Sequence, residues 1–130
     1  MLKKRTGEYT VVGLANVWPH EIETAKVLKN AGHIVKFIPA SKRKFENTAD
    51  CYIDGVLWEM KSPRASSLKT VERNLKRGSW QSDKIVFDSR RMKLIPDKAI
   101  GRELTKRLKE IDRINQIKFV NRHGKVIDIK

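Results

Sequence analysis

The sequence is poor in the residues from which covalent staples, membrane spans and flexible linkers are made. It has one cysteine, Cys51, in 130 residues, which excludes an internal disulfide framework and a cysteine-rich zinc site. Four prolines and seven glycines leave no low-complexity stretch, and no internal repeat is present. No apolar run approaches the ~18 residues of a membrane-spanning helix, and no signal-peptide pattern follows Met1. Acid is scarce as well: 15 Asp and Glu stand against 29 Lys and Arg, a formal net charge of +14 with a pI near 10.2. An excess of that size attracts polyanions, nucleic acid foremost. With 39% apolar residues gathered in clusters of Val, Ile, Leu and Trp, the chain can bury one modest core. Composition thus describes a soluble, intracellular-type, basic single domain, and does not separate a nucleic-acid binder from an enzyme that cuts nucleic acid.

Turn and capping signals divide the chain. Glu8–Leu14 reads as a short edge strand after a basic tip, Met1–Arg5. Pro19 suits a first helical position and an acid in the first turn suits the helix dipole, so a helix opens at Trp18-Pro19-His20-Glu21. Ile22, Ala25, Leu28 and Ala31 recur at helical spacing, and Gly32 is the stop. His33–Pro39 reads as a strand and Ser41–Thr48 as a polar, basic loop. Asp54-Gly55 between two apolar runs predicts a tight hairpin. Ser66–Lys76 has helical spacing, Lys84–Asp88 reads as a buried strand, a helix starts at Pro96-Asp97, and residues 117–120 and 126–129 form a terminal hairpin. Helix, strand, hairpin, helix, strand, helix and hairpin make a mixed α/β domain with one sheet.

The hairpin carries chemistry. A two-residue turn sets Ile53 opposite Val56, Tyr52 opposite Leu57, Cys51 opposite Trp58 and, one step on, Asp50 opposite Glu59. Alternation then places Asp50, Glu59 and Lys61 on one side and the apolar set Cys51, Ile53, Val56, Trp58 and Met60 on the other, the expected core face. Two facing carboxylates repel without a counter-charge. A divalent cation resolves this, and Mg²⁺ or Mn²⁺ takes one or two carboxylates and completes its shell with water and phosphate. Lys61 beside them can hold the attacking water, the arrangement of metal-assisted phosphodiester hydrolysis. The bland alternative is a solvated Glu-x-Lys ion pair on an exposed hairpin face.

Basic residues flank this stretch: Arg64, Lys69, Arg73, Lys76, Arg77, Arg90 and Arg91. Arg90-Arg91 is the favoured pair for phosphate contacts. Tyr52 shares the proposed active face and is the leading stacking candidate, with Trp18 and Trp80 beside it. Trp58 and Cys51 are core by parity. His20 as the general base of a metal-free ribonuclease is a further alternative.

Asp50 and Glu59-Met60-Lys61 resemble the signature of the PD-(D/E)XK nuclease superfamily, with Ala49 where that pattern has proline. The resemblance implies a restriction endonuclease-like αβββαβ core over about residues 19–88 with a mixed central sheet, extended by a C-terminal helix and β-hairpin over about 96–130, all in one nuclease domain, 1–130. Longer segments, HEIETAKVLKNAGHIVKFIP, ADCYIDGVLWEMKSP and TVERNLKRGSWQSDKIVFDSRR, resemble the C-terminal tRNase domains of CdiA contact-dependent growth inhibition toxins. That resemblance implies a growth-inhibiting, Mg²⁺- or Mn²⁺-dependent endonuclease acting on tRNA in the cytoplasm, either delivered into a target cell or stand-alone. It also implies a cognate immunity protein. It adds Glu21 as a further acid beside the metal, and Thr70, Asn74 and Gln81 as polar groups near the scissile phosphate. A helix-dipole role for Glu21 and a polar helix surface for Thr70 and Asn74 are the alternatives. The rival functions are a DNA endonuclease of a phage or mobile element and a non-catalytic basic nucleic-acid-binding module.

Overall fold

The structure is a computed structural model that describes residues 6–11, 17–39 and 49–129; the expected loop at 41–48, the basic tip and residues 12–14 of the first strand lie outside them. Seven strands and three helices are present among the described residues: β1 (Glu8–Thr10), α1 (Pro19–Asn30), β2 (Ile34–Phe37), β3 (Cys51–Ile53), β4 (Val56–Lys61), α2 (Lys69–Gly78), β5 (Lys84–Asp88), α3 (Asp97–Glu110), β6 (Gln116–Val120) and β7 (Val126–Ile129). The strands form one sheet in chain order. β1 and β2 are parallel, β2–β3–β4 antiparallel, β4–β5–β6 parallel and β6–β7 antiparallel. The mixed α/β class and the order of elements are those expected.

Local chemistry explains the hairpin. Asp54 and Gly55 both lie in the left-handed region, with φ of 50° and 83°, the combination a two-residue turn needs to match strand twist. Its register sets Ile53 opposite Val56, Tyr52 opposite Leu57 and Cys51 opposite Trp58, as the turn chemistry predicts. His33 Nδ1 and the Ile34 amide both meet the Asp54 carboxylate, at 2.7 and 2.8 Å, and so tie the turn to β2.

Both faces of the sheet are covered. On one side α1 packs Ala25 and Leu28 onto Val35, Phe37, Cys51, Ile53, Trp58, Met60, Val86 and Val120. On the other, α2 and α3 bring Val71, Leu75, Ile100 and Leu104 onto Ile85, Phe87, Ile117 and Phe119. Fully burying an aliphatic side chain such as Leu75 or Ile85 contributes about 1.5–3 kcal/mol. The one-sided sheet implied by strict alternation is thereby corrected. Val56, assigned to the core face, is exposed at the hairpin tip, and Glu59, assigned to the open face, is buried.

Candidate active site

The parallel register of β4, β5 and β6 brings the ends of three strands together, with Lys61 beside Phe87 and Asp88 beside Val120. The carboxyl ends of parallel strands are where open α/β sheets leave a crevice. Glu59 and Lys61 share the α2 face of β4, since their partners Ile85 and Phe87 belong to the α2–α3 core. Lys61 Nζ lies 3.3 Å from Glu59 Oε2. The other Glu59 oxygen, Oε1, is buried with no hydrogen-bond partner. Gly78 at the end of α2 is what allows this closeness: a Cβ there would fall 3.3 Å from Lys61 Cε and 3.4 Å from Glu59 Cγ.

Asp50 completes the cluster. It precedes β3, and its Oδ2 accepts the Met60 amide at 2.9 Å, which pins the carboxylate against β4. Burial, then the nearby Asp50 carboxylate, push the Glu59 carboxyl up to about 8, and Lys61 only partly offsets them. A protonated Glu59 can donate to Asp50; with both ionised no hydrogen lies between them, so the pair requires a proton or a cation. The donor chemistry fits a hard divalent ion: two carboxylates, one carrying an orphaned buried oxygen, of the kind that Mg²⁺ takes beside water and phosphate ligands. No group of three or more His, Cys, Asp or Glu side chains able to hold a metal occurs among the described residues.

Glu21 sits in the first turn of α1, next to His20, a residue on which the Asp50 charge acts. Its Oε1 accepts the Trp18 amide at 2.9 Å, capping the helix as a first-turn acid can. Thr70 and Asn74 are adjacent on α2, and Asn74 Nδ2 donates to the Thr70 carbonyl at 2.8 Å. The Gln81 amide donates to the Gly78 carbonyl at 2.9 Å, one turn beyond the glycine that roofs Glu59. Tyr52 is half-exposed on β3.

Asp88, assigned only to a strand by sequence reasoning, is a buried hub. Its Oδ2 accepts Thr24 Oγ1 at 2.6 Å and Arg90 Nη2 at 2.7 Å, and its Oδ1 accepts Arg90 Nε at 3.0 Å. Arg90 is thus largely committed to Asp88, whereas Arg91 donates one nitrogen to the Ser62 carbonyl at 3.0 Å. The available signal was an acid two residues before an arginine at a strand end, too common to single out. Next to these groups lies a cavity of about 430 Å³ lined by Pro19, His20, Glu23, Ser62, Arg64 and Asp88, with Arg90 and Arg91. Burial, then Arg91 and Arg64, hold His20 below the usual imidazole range.

Comparison with known proteins agrees with this fold. The profile of the family described as "Contact-dependent growth inhibition CdiA C-terminal domain" matches residues 46–126, more than half of the chain and inclusive of Asp50, Glu59 and Lys61. The solved structure described as "CdiA-CT/CdiI toxin and immunity complex from Burkholderia pseudomallei" superposes with a TM-score of 0.64 at 18% identity, covering 95% of this chain and 99% of that one. At that identity the likeness is one of fold. No curated protein sequence matches the chain.

Proposed function

The chain belongs to the CdiA C-terminal domain family of contact-dependent growth inhibition toxins, and from that premise we propose that it is a metal-dependent endonuclease of the PD-(D/E)XK kind. The reading is carried by one observation: a buried glutamate with an orphaned oxygen, set between a second carboxylate and a lysine at a strand end. Asp50 and Glu59 would hold Mg²⁺ or Mn²⁺, and Lys61 would orient the attacking water and balance negative charge on the phosphate. The cation, when bound, supplies charge neutralisation and lowers the pKa of water. Everything else comes from the chain. The Met60 amide fixes Asp50, α2 excludes water from Glu59, and Lys61 keeps one ammonium proton directed at Glu59 with the others available to the crevice.

The substrate that best fits the family and the charge of +14 is tRNA. Delivery into a target cell and neutralisation by an acidic immunity protein follow from the same reading, because the superposed structure is a toxin with its immunity partner and a basic face calls for a complementary one. No described helix is long and apolar enough to cross a membrane. Incubation with total tRNA and with plasmid DNA, with and without EDTA, followed by sequencing of the cut ends, tests the proposal. Cleavage of tRNA that stops in EDTA is expected. Cleavage of plasmid alone would make it a DNA endonuclease, and binding without cleavage would make it a non-catalytic module.

A further inference from the structure

Beside the carboxylate cluster the surface has a polarity of its own. The cavity that His20 lines carries Arg64, Arg91 and Glu23 in its wall, with the buried Asp88 already neutralised by Arg90. It adjoins the active site through the chain itself, because Ser62, which accepts from Arg91, is the residue after Lys61. A second hollow of about 410 Å³, lined by Ala65, Ser66, Lys93 and Leu94, shares Arg64 and Arg91 with the first. Two guanidinium groups therefore stand between two hollows of similar size, each within the range of small-ligand sites. Trp18, next in the chain to Pro19 of the first, is 63% exposed and stacks on His20 with ring centroids 6.5 Å apart and planes 12° from parallel. Trp80 is equally exposed, but the Arg113 guanidinium lies over its ring at 3.1 Å. Trp18 is the exposed tryptophan whose stacking partner, His20, lines the cavity.

We propose that this is a subsite for an unpaired nucleotide next to the scissile bond, its base stacked on Trp18 and His20 and its phosphate held by Arg64 and Arg91. The proposal rests on the nuclease reading and adds the kind of strand that the enzyme takes. A base inside a duplex keeps its faces covered by its neighbours, so a stacking platform reads only strands that are single or splayed open. Arg64 and Arg91 draw the phosphate, and Glu23 is already paired with Lys26 Nζ at 3.2 Å. Burial, then those same arginines, lower the His20 pKa and so favour the uncharged ring for stacking.

The test is binding of the intact protein, in EDTA, to an end-labelled single-stranded RNA of about twelve nucleotides and to the same strand annealed to its complement. Tighter binding of the single strand is expected. Trp18→Ala should weaken it by roughly fivefold to a hundredfold, Trp18→Phe should restore most of the loss, and Trp80→Ala should change it less than about twofold. Arg64→Ala should reduce the salt slope by about 0.7. Single-strand binding that is unchanged in Trp18→Ala, or equal affinity for duplex and single strand, overturns the subsite and leaves the nuclease reading standing. Failure to bind either strand overturns the subsite, and the tRNA cleavage assay decides the nuclease reading separately.

Discussion

Lys61 Nζ stands 3.3 Å from one oxygen of Glu59, while the other oxygen of the same carboxylate is buried and takes no hydrogen bond. Half of the glutamate is answered by the chain and half is not. Burial, then the Asp50 carboxylate, raise the Glu59 carboxyl to about 8, and the single charge of Lys61 only partly offsets them. The predictions below derive from that imbalance.

Glu59→Gln and Asp50→Asn each remove one carboxylate from the pair. Cleavage of tRNA should fall by more than the roughly 10–100-fold that outer-shell partners of a metal cost. Glu59→Gln should keep the fold, because a neutral amide resembles the protonated acid. Asp50→Ala should also lose about 1–3 kcal/mol of stability, since it strands the Met60 amide. Initial cleavage rates and urea unfolding of the three variants check this.

Stability of the metal-free protein should depend on pH through Glu59. Its folded pKa, about 8, lies above its ordinary value of 4.5, so the folded state binds the proton more tightly than the unfolded one. The contribution is fully present below pH about 4.5 and is lost as pH rises through about 8. In EDTA the difference in Tm between wild type and Glu59→Gln should therefore shift in favour of the variant as pH goes from 5 to 9. A constant difference would show that Glu59 titrates normally.

Lys61→Met should slow cleavage by about 10²–10³, the cost of removing a donor aimed at developing charge, with little loss of metal affinity. Rates measured across a Mg²⁺ titration separate the two effects. A variant restored by excess Mg²⁺ would place Lys61 in metal retention instead.

Gly78→Ala adds a methyl group 3.1 Å from Ile85 Cδ1, 3.3 Å from Lys61 Cε and 3.4 Å from Glu59 Cγ. These are side-chain atoms that can yield by tenths of an ångström, and alanine favours the helix by about 1 kcal/mol. Thermal stability should change little, whereas displacement of Lys61 and Glu59 should slow cleavage by roughly tenfold. Rate and Tm measured together distinguish this from general destabilisation.

Turn and cap chemistry made the fold legible in the sequence. Asp54-Gly55 determined the register that brings Asp50 to Glu59, and Pro19 with Gly32 bounded α1. The burial of Glu59 was not legible, because alternation in β3 and β4 describes a sheet with one wet face. What covers that face is α2, whose small Gly78 meets Glu59 from 19 positions away in the chain. Long-range partners of this kind leave no local pattern. The Thr24–Asp88–Arg90 network was hidden for the same reason, since it is set by how α1 packs on the sheet, whereas the local first-turn role of Glu21 was among the readings that its position offered.

The most direct measurement is a titration of the purified protein with Mn²⁺ at pH 7, followed by electron paramagnetic resonance and by the protons released. The account predicts one bound ion per chain with release of a proton from Glu59, and loss of both signals in Glu59→Gln. Mn²⁺ binding that is equal in wild type and Glu59→Gln, or that releases no proton, would contradict it.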